Sequence, residues 1–151
     1  MIYIRHYSKD NFDEAIALKV FDAQKKFCPS VEMSLAVAYI SPWDEKVDPY
    51  LIFDDEHMIG AFYLSYTPLS KNNYWVGGFF IDHRFQNMGY GRKAMLRIID
   101  FLKDKHPEME LLSLTVVPEN EIAYRLYESL GFISTGKYND EGELILRKRV
   151  S

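Results

Sequence analysis

The sequence predicts an α/β (α+β) domain: one central, mostly antiparallel mixed sheet of six to seven strands, flanked by about four helices. Three observations lead there. Strand-like runs come in neighbouring pairs, Tyr50–Phe53 with Met58–Tyr66 and Phe132–Tyr138 with Glu143–Arg149, each joined by a short polar turn. Elsewhere apolar residues recur at helical spacing. A single β-α-β-α crossover, from Tyr74 to Leu130, connects the two regions, so the strict alternation of a doubly wound sheet is absent. A length of 151 residues fits one domain, residues 1–151, with no room for a second of ordinary size.

Taken in order, Ile2–His6 reads as a short first strand. Phe12, Ile16, Val20, Ala23 and Phe27 then share one helical face, with Asp10 or Asn11 available as a cap. Pro29 interrupts, and Val31–Tyr39 is a second short helix. Ser41–Pro49 is turn-rich and polar, hence a loop. Tyr50–Phe53 and Met58–Tyr66 form a hairpin across the acidic turn Asp54-Asp55-Glu56-His57. A second loop, Pro68–Asn73, leads to the strand Tyr74–Ile81. The polar stretch Asp82–Asn87 follows, then a helix from Gly89 to Lys105 with the apolar stripe Met95, Ile98, Ile99 and Leu102. Leu112–Val117 is a nearly continuous apolar strand that Pro118 ends. Asn120 caps a last helix with stripe Ala123, Leu126, Tyr127 and Leu130. Gly131 is placed to accept the left-handed conformation that closes many helices. Phe132–Tyr138 and Glu143–Arg149 pair across Asn139-Asp140-Glu141-Gly142.

Composition narrows the function. Hydrophobic residues at 48% and charged residues at 26% are the balance of a globular chain. No run approaches the roughly 18 apolar residues of a membrane-spanning helix, and Met1–Arg5 has no signal-peptide layout, so a cytoplasmic location without a membrane partner is expected. Net charge is −4, and no concentrated basic face exists to neutralise phosphates, which argues against nucleic acid. Residues 1–56 hold 11 acidic and 6 basic side chains, a balance that suits a cationic partner. Cys28 is the only cysteine, which excludes an internal disulfide, and it reads as a small buried or half-buried residue. His6, His57, His83 and His106 are scattered without ligand spacing, so no metal site is expected.

The chemistry is concentrated in Phe79-Phe80-Ile81-Asp82-His83-Arg84-Phe85-Gln86-Asn87-Met88-Gly89-Tyr90-Gly91-Arg92-Lys93. A strand runs into a polar turn, and two glycines open an amphipathic helix. Glycine lets backbone approach a ligand, and first-turn N–H groups lack helical partners. With the positive end of the helix dipole they make an anion site, with Gln86, Arg92 and Lys93 at its rim, suited to a pyrophosphate. Gly89–Ala94 also satisfies the dinucleotide pattern G-x-G-x-x-G/A, but Asp82–Met88 separate it from its strand and three or more strands precede it. No P-loop sequence is present.

Gln86-Asn87-Met88-Gly89-Tyr90-Gly91 resembles the (Arg/Gln)-x-x-Gly-x-(Gly/Ala) signature of the GNAT superfamily of N-acetyltransferases. Asn120-Glu121-Ile122-Ala123-Tyr124-Arg125-Leu126-Tyr127-Glu128-Ser129-Leu130-Gly131-Phe132 resembles that family's second motif, N-x-x-A-x-x-[LF]-Y-x-x-x-G-F. Within the family, Trp75, Phe79-Phe80-Ile81-Asp82 and the short closing hairpin are most similar to bacterial spermidine/spermine acetyltransferases. The resemblance implies acetyl-CoA as cosubstrate and transfer of its acetyl group to a primary amine of a small cationic acceptor such as a polyamine. A protein or peptide N-terminal acetyltransferase and a non-catalytic CoA-binding sensor are the alternatives. Dimers built through C-terminal strands are common among relatives, so a homodimer is compatible with the resemblance.

The same resemblance assigns residues. Backbone groups of Phe80 and Ile81 would hydrogen-bond the pantetheine arm, Gln86, Asn87, Met88, Gly89, Tyr90 and Gly91 would hold the pyrophosphate with Arg92 nearby, and Asn120 would contact the coenzyme as well as cap its helix. Tyr127 would be the general acid that protonates the departing thiolate, an alternative to plain core packing on its apolar stripe. Many relatives carry a carboxylate base on the strand before the pyrophosphate turn; here those positions read Val76-Gly77-Gly78, leaving Asp82, His83 or a water chain. Asp22, Glu32, Asp44 and Glu45 would meet ammonium groups, with Trp43, Phe27 or Tyr39 offering cation–π faces.

Overall fold

Apolar periodicity sorts the chain into seven strands and four helices. β1 (Ile2–Arg5) and α1 (Phe12–Ile16) precede α2 (Val31–Ile40), the hairpin β2 (Lys46–Asp54) and β3 (His57–Tyr66), and β4 (Tyr74–Ile81). Then come α3 (Tyr90–Lys105), β5 (Leu111–Val116), α4 (Glu121–Ser129) and the closing pair β6 (Ile133–Tyr138) and β7 (Leu144–Arg149). In this computed structural model, which describes residues 1–151, all seven strands join one sheet in the order β1-β2-β3-β4-β5-β7-β6. Every neighbouring pair is antiparallel except β4 with β5. The domain is the α/β type expected, with a helical layer on each face of its sheet.

Strand alternation feeds both faces at once. On β2, Tyr50 and Ile52 enter a large core with the α3 stripe Met95, Ile98, Ile99 and Leu102, whereas Leu51 and Phe53 enter a smaller one with Ala15, Leu18 and Val31. The α4 residues Tyr127 and Leu130 belong to the first core. Helices α3 and α4 therefore cover one face, and α1 with α2 the other. Ser30 caps α2 through its Oγ, which accepts from the Met33 N–H at 3.2 Å.

Three expectations change. The first helix stops at Ile16 rather than running to Phe27; Phe12 is 47% exposed, and Ala15 and Leu18 are buried in place of the expected stripe. Asn11 stands at the cap position, but its side chain bonds Ser8 and His6 instead of the helix. Residues Lys46–Pro49, expected in a loop, extend β2. Pro49 is tolerated because β1 pairs only with Leu51–Asp54, leaving β2 with β3 as its one neighbour there. Finally, the turn between β2 and β3 is tighter than expected, since Asp54 and His57 pair directly.

His106 closes α3 and lies buried against the rings of Tyr66 and Tyr74, centroids 4.7 and 5.5 Å away, with its Nε2 unpartnered. Burial lowers its pKa despite the pull of Glu108 and Asp48. The folded chain thus keeps His106 neutral where an unfolded chain already binds a proton, so this stability is full above about pH 6.5 and is lost as pH falls through the folded value. Urea unfolding from pH 7.5 to 5 is expected to show that loss, and His106→Gln to flatten it. In the same assay Leu102→Ala, fully buried, is expected to cost about 2–5 kcal/mol, while Leu96→Ala on the exposed face stays within about 0.5 kcal/mol.

Candidate functional site

The parallel strands β4 and β5 touch at only two register positions, Trp75 with Ser113 and Val76 with Leu114. Beyond them the strands part, and a cleft of about 1180 Å³ opens between. A bulge accompanies the parting. From the pair Tyr63–Gly77 to Ala61–Phe80, β3 runs two residues and β4 three, so β4 carries an extra residue at Gly78-Phe79. Gly78 has φ +60, where a side chain is strained. At Gly77 an added Cβ would stand 2.3 Å from Tyr63 Cζ. The Tyr63 ring therefore occupies the place a side chain at 77 would need, so a larger residue there would have to displace that ring. With β5 gone, backbone groups of Gly77–Ile81 turned away from β3 have no strand partner and face the cleft.

The turn after β4 is held from beneath. Asp82 is fully buried; its carboxylate accepts from Arg84 Nε at 2.7 Å and from the N–H groups of Arg84 and Lys19, both at 3.0 Å. Burial alone would raise its pKa, but these bonds outweigh it and hold the carboxyl below the usual range. Gln86 donates to the Ile81 carbonyl at 2.9 Å and exchanges two 2.9 Å bonds with Gln24. Its amide hydrogens are thereby occupied, so Gln86 braces the turn against the segment before α2. Asn87 (φ 63) and Gly89 (φ 81) then curl the chain into α3. An added Cβ at Gly89 would meet nothing within 4 Å, so the approach to the first N–H groups of a 16-residue helix is open. The Tyr90 phenol donates to the Asp54 carboxylate, and Arg92 donates to Ser129 Oγ at 2.8 Å.

Tyr127 is fixed by a helix-closing motif. The Phe132 N–H bonds to the Tyr127 carbonyl and the Gly131 N–H to that of Glu128, with Gly131 at φ +93. The ring of Phe132 meets Tyr127 edge-on at 5.9 Å. Tyr127 is 7% exposed yet lines the cleft, and burial raises its pKa, so the phenol keeps its proton at neutral pH. Asn120 Oδ1 caps α4 by accepting from Ala123 N–H at 3.3 Å, and Asn120 also lines the cleft. Cys28 lines it too, with its thiol pKa raised by burial, the opposite of a reactive thiolate.

Of the site residues named from sequence, Phe80, Ile81, Gln86, Asn87, Gly89, Tyr90, Gly91, Arg92, Asn120, Tyr127, Trp43, Phe27 and Glu45 line this one cleft. Met88, 60% exposed, does not. Asp22, Glu32 and Asp44 are exposed and outside it, Asp22 being paired with Lys25 at 2.9 Å. Asp82 and His83 also lie outside, Asp82 spent on the turn and His83 edge-on to Phe21 at 5.4 Å. Of the four carboxylates named from sequence to meet ammonium groups, Glu45 alone lines the cleft, joined there by Asp140, Glu141 and Glu143 in the β6–β7 turn. Sequence reasoning took that turn for a plain connection, because only the sheet order swings it over β5. Arg92 is the sole Lys or Arg lining the cleft.

Parted parallel strands, a glycine-opened helix at the turn and a buried tyrosine on the next helix define a cleft suited to a long phosphate-bearing ligand. The family model for the acetyltransferase (GNAT) family matches residues 17–132, and the chain belongs to that family of acyltransferases. A curated relative, the spermine/spermidine N(1)-acetyltransferase of Bacillus subtilis, is 28% identical over 99% of both chains. Among solved structures, spermidine N-acetyltransferase from Vibrio cholerae, in complex with CoA and spermine, superposes with TM-score 0.72 at 17% identity, covering 97% of this chain and 92% of the other. The ribosomal-protein-S18-alanine N-acetyltransferase of Escherichia coli gives 0.67 at 19% identity, covering 100% and 95%.

Asp82→Ala removes the anchor of the turn. It is expected to cost on the order of 3 kcal/mol in urea unfolding, and Arg84→Ala, which leaves both backbone donors in place, distinctly less.

Proposed function

We propose that the protein transfers acetyl from acetyl-CoA to a primary amine of a small cationic acceptor, a polyamine such as spermidine or spermine. The observation that carries this reading is the parted pair β4–β5, with an anion-binding helix start at one end and a wall of carboxylates on its flank. A coenzyme carrying phosphates and an acyl arm fits the groups present: open first-turn N–H groups of α3, Arg92, and the backbone along Gly77–Phe80 that β5 leaves without a strand partner. When bound, it supplies an activated thioester.

The chain's own groups would do the rest. Backbone of β4 orients the arm and excludes water on its side. The acceptor amine enters from the flank of β4 facing Tyr63, where the carboxylates Glu45, Glu141 and Glu143 attract a cation. The amine attacks in its neutral form. The new C–N bond forms as the C–S bond breaks, the sulfur leaves as thiolate, and the nitrogen sheds its extra proton to water. From water the Tyr127 phenol is restored after it protonates the sulfur. Tyr127, protonated at neutral pH, is the donor to that sulfur. The full-length relative that acetylates spermine and spermidine supports the acceptor class, as does the excess of carboxylates over the single Arg92.

Free thiol release from acetyl-CoA, followed with spermidine, spermine, a diamine, an aminoglycoside and an N-terminal peptide, tests this reading. Polyamine-dependent release is expected, with kcat falling about 10²–10⁴-fold in Tyr127→Phe. Release with peptide alone would move the acceptor to proteins. Acetyl-CoA binding without release for any acceptor would leave a sensor.

A further inference from the structure

Between Leu18 and Val31, both buried, no residue of the chain is buried. The stretch 19–30 nevertheless forms one wall of the cleft, through Val20, Phe21, Ala23, Gln24 and Phe27. Apolar burial does not hold it in place, so the work falls to polar bonds. Every hydrogen bond that leaves residues 19–29 ends on the turn 82–86. The Lys19 N–H donates to Asp82 at 3.0 Å, and the Lys19 carbonyl accepts from the His83 N–H at 2.8 Å. The Gln24 amide trades two 2.9 Å bonds with that of Gln86. Gln24 Oε1 also accepts from its own segment, from the Phe21 N–H at 3.2 Å. One side chain thus shapes the wall and ties it to the turn.

Its partner stands where the turn takes its form. Gln86 is the last residue before the left-handed positions, Asn87 at φ 63 and Gly89 at φ 81, that lead into α3. A non-glycine residue adopts that conformation at a cost, and holds it where the surroundings over-determine it. Three bonds fix the Gln86 side chain, two to Gln24 and one to the Ile81 carbonyl at 2.9 Å. Without Gln24 only the last remains, and the point from which the curl begins is free to swing. The first-turn N–H groups of α3 follow that curl.

We propose that Gln24 is a positioning residue for the coenzyme: acting through Gln86, 62 residues further along the chain, it holds the phosphate turn in the form that receives a pyrophosphate. The inference rests on the coenzyme half of the proposed function and is independent of which amine is the acceptor.

Calorimetric titration of the full chain with CoA, no acceptor present, reads the effect directly. A neutral hydrogen bond is worth about fivefold in an equilibrium, so the Kd for CoA is expected to rise about 5–30-fold in Gln24→Ala. Gln24→Met, which keeps the side-chain length and loses only the amide, is expected to match it. Lys25→Ala, on the same segment but exposed and paired with Asp22, is expected to bind CoA like the parent. Gln86→Ala and Gln24→Ala/Gln86→Ala complete a cycle. Because Gln24 acts through Gln86, the double variant is expected to bind CoA no more weakly than Gln86→Ala alone. In thiol release, the KM for acetyl-CoA is expected to rise with the Kd while kcat changes less. Parent-like affinity in Gln24→Ala or Gln24→Met, an equal loss in Lys25→Ala, or additive losses in the double variant overturns the positioning role while coenzyme binding stands. A parent chain that binds no CoA overturns the coenzyme reading, and the positioning role with it.

Discussion

Because β4 and β5 run parallel, a crossover must join them, and because they pair at only two positions, everything past Val76 and Leu114 hangs on what keeps them apart. The extra residue at Gly78-Phe79 breaks the register of β4 on β3, and the Tyr63 ring packs directly on Gly77, where a side chain would have to displace it. On the opposite strand, β5 keeps its full antiparallel ladder with β7 from Leu111 to Val116. One wall of the cleft is thus bent and the other straight. The opening they leave is backbone-lined, which is what a ligand recognised by its extended arm requires.

Two separate braces translate that opening into a site. Asp82, buried with three donors, ties the phosphate turn to Lys19, and the Gln86–Gln24 exchange ties it to the segment before α2. The reciprocal closure of α4 on Gly131 and Phe132 fixes Tyr127 on the far side. The turn that opens α3 and the Tyr127 ring are therefore set by separate elements, each through its own hydrogen bonds. The electrostatics follow the same division: helix dipole and Arg92 at the turn, carboxylates by the β6–β7 turn.

The sequence was most legible where local physics decides. The α3 stripe, the strand Tyr74–Ile81, the glycine turn and the Gly131 closure were each readable, because periodicity and positive φ act within a few residues. Phe12–Phe27 misled, since a helical stripe is only a helix if a surface receives it, and β2 with β3 receives Ala15 and Leu18 instead. Pro49 misled in the opposite sense, its strand position being acceptable only on an unpaired edge. The charge of the first third pointed to a cationic partner, yet only Glu45 of those residues reaches the cleft.

From sequence alone, then, came the α/β class, the family resemblance, the glycine turn that opens α3 and the helix that carries Tyr127, all encoded in short spacings that fix local backbone. Tertiary structure alone decided which carboxylates line the cleft, how the Tyr63 ring packs on Gly77, and that Gln86 is a brace. Those answers depend on residues 24 to 143 being brought together by sheet order, a long-range outcome of packing that no local pattern records.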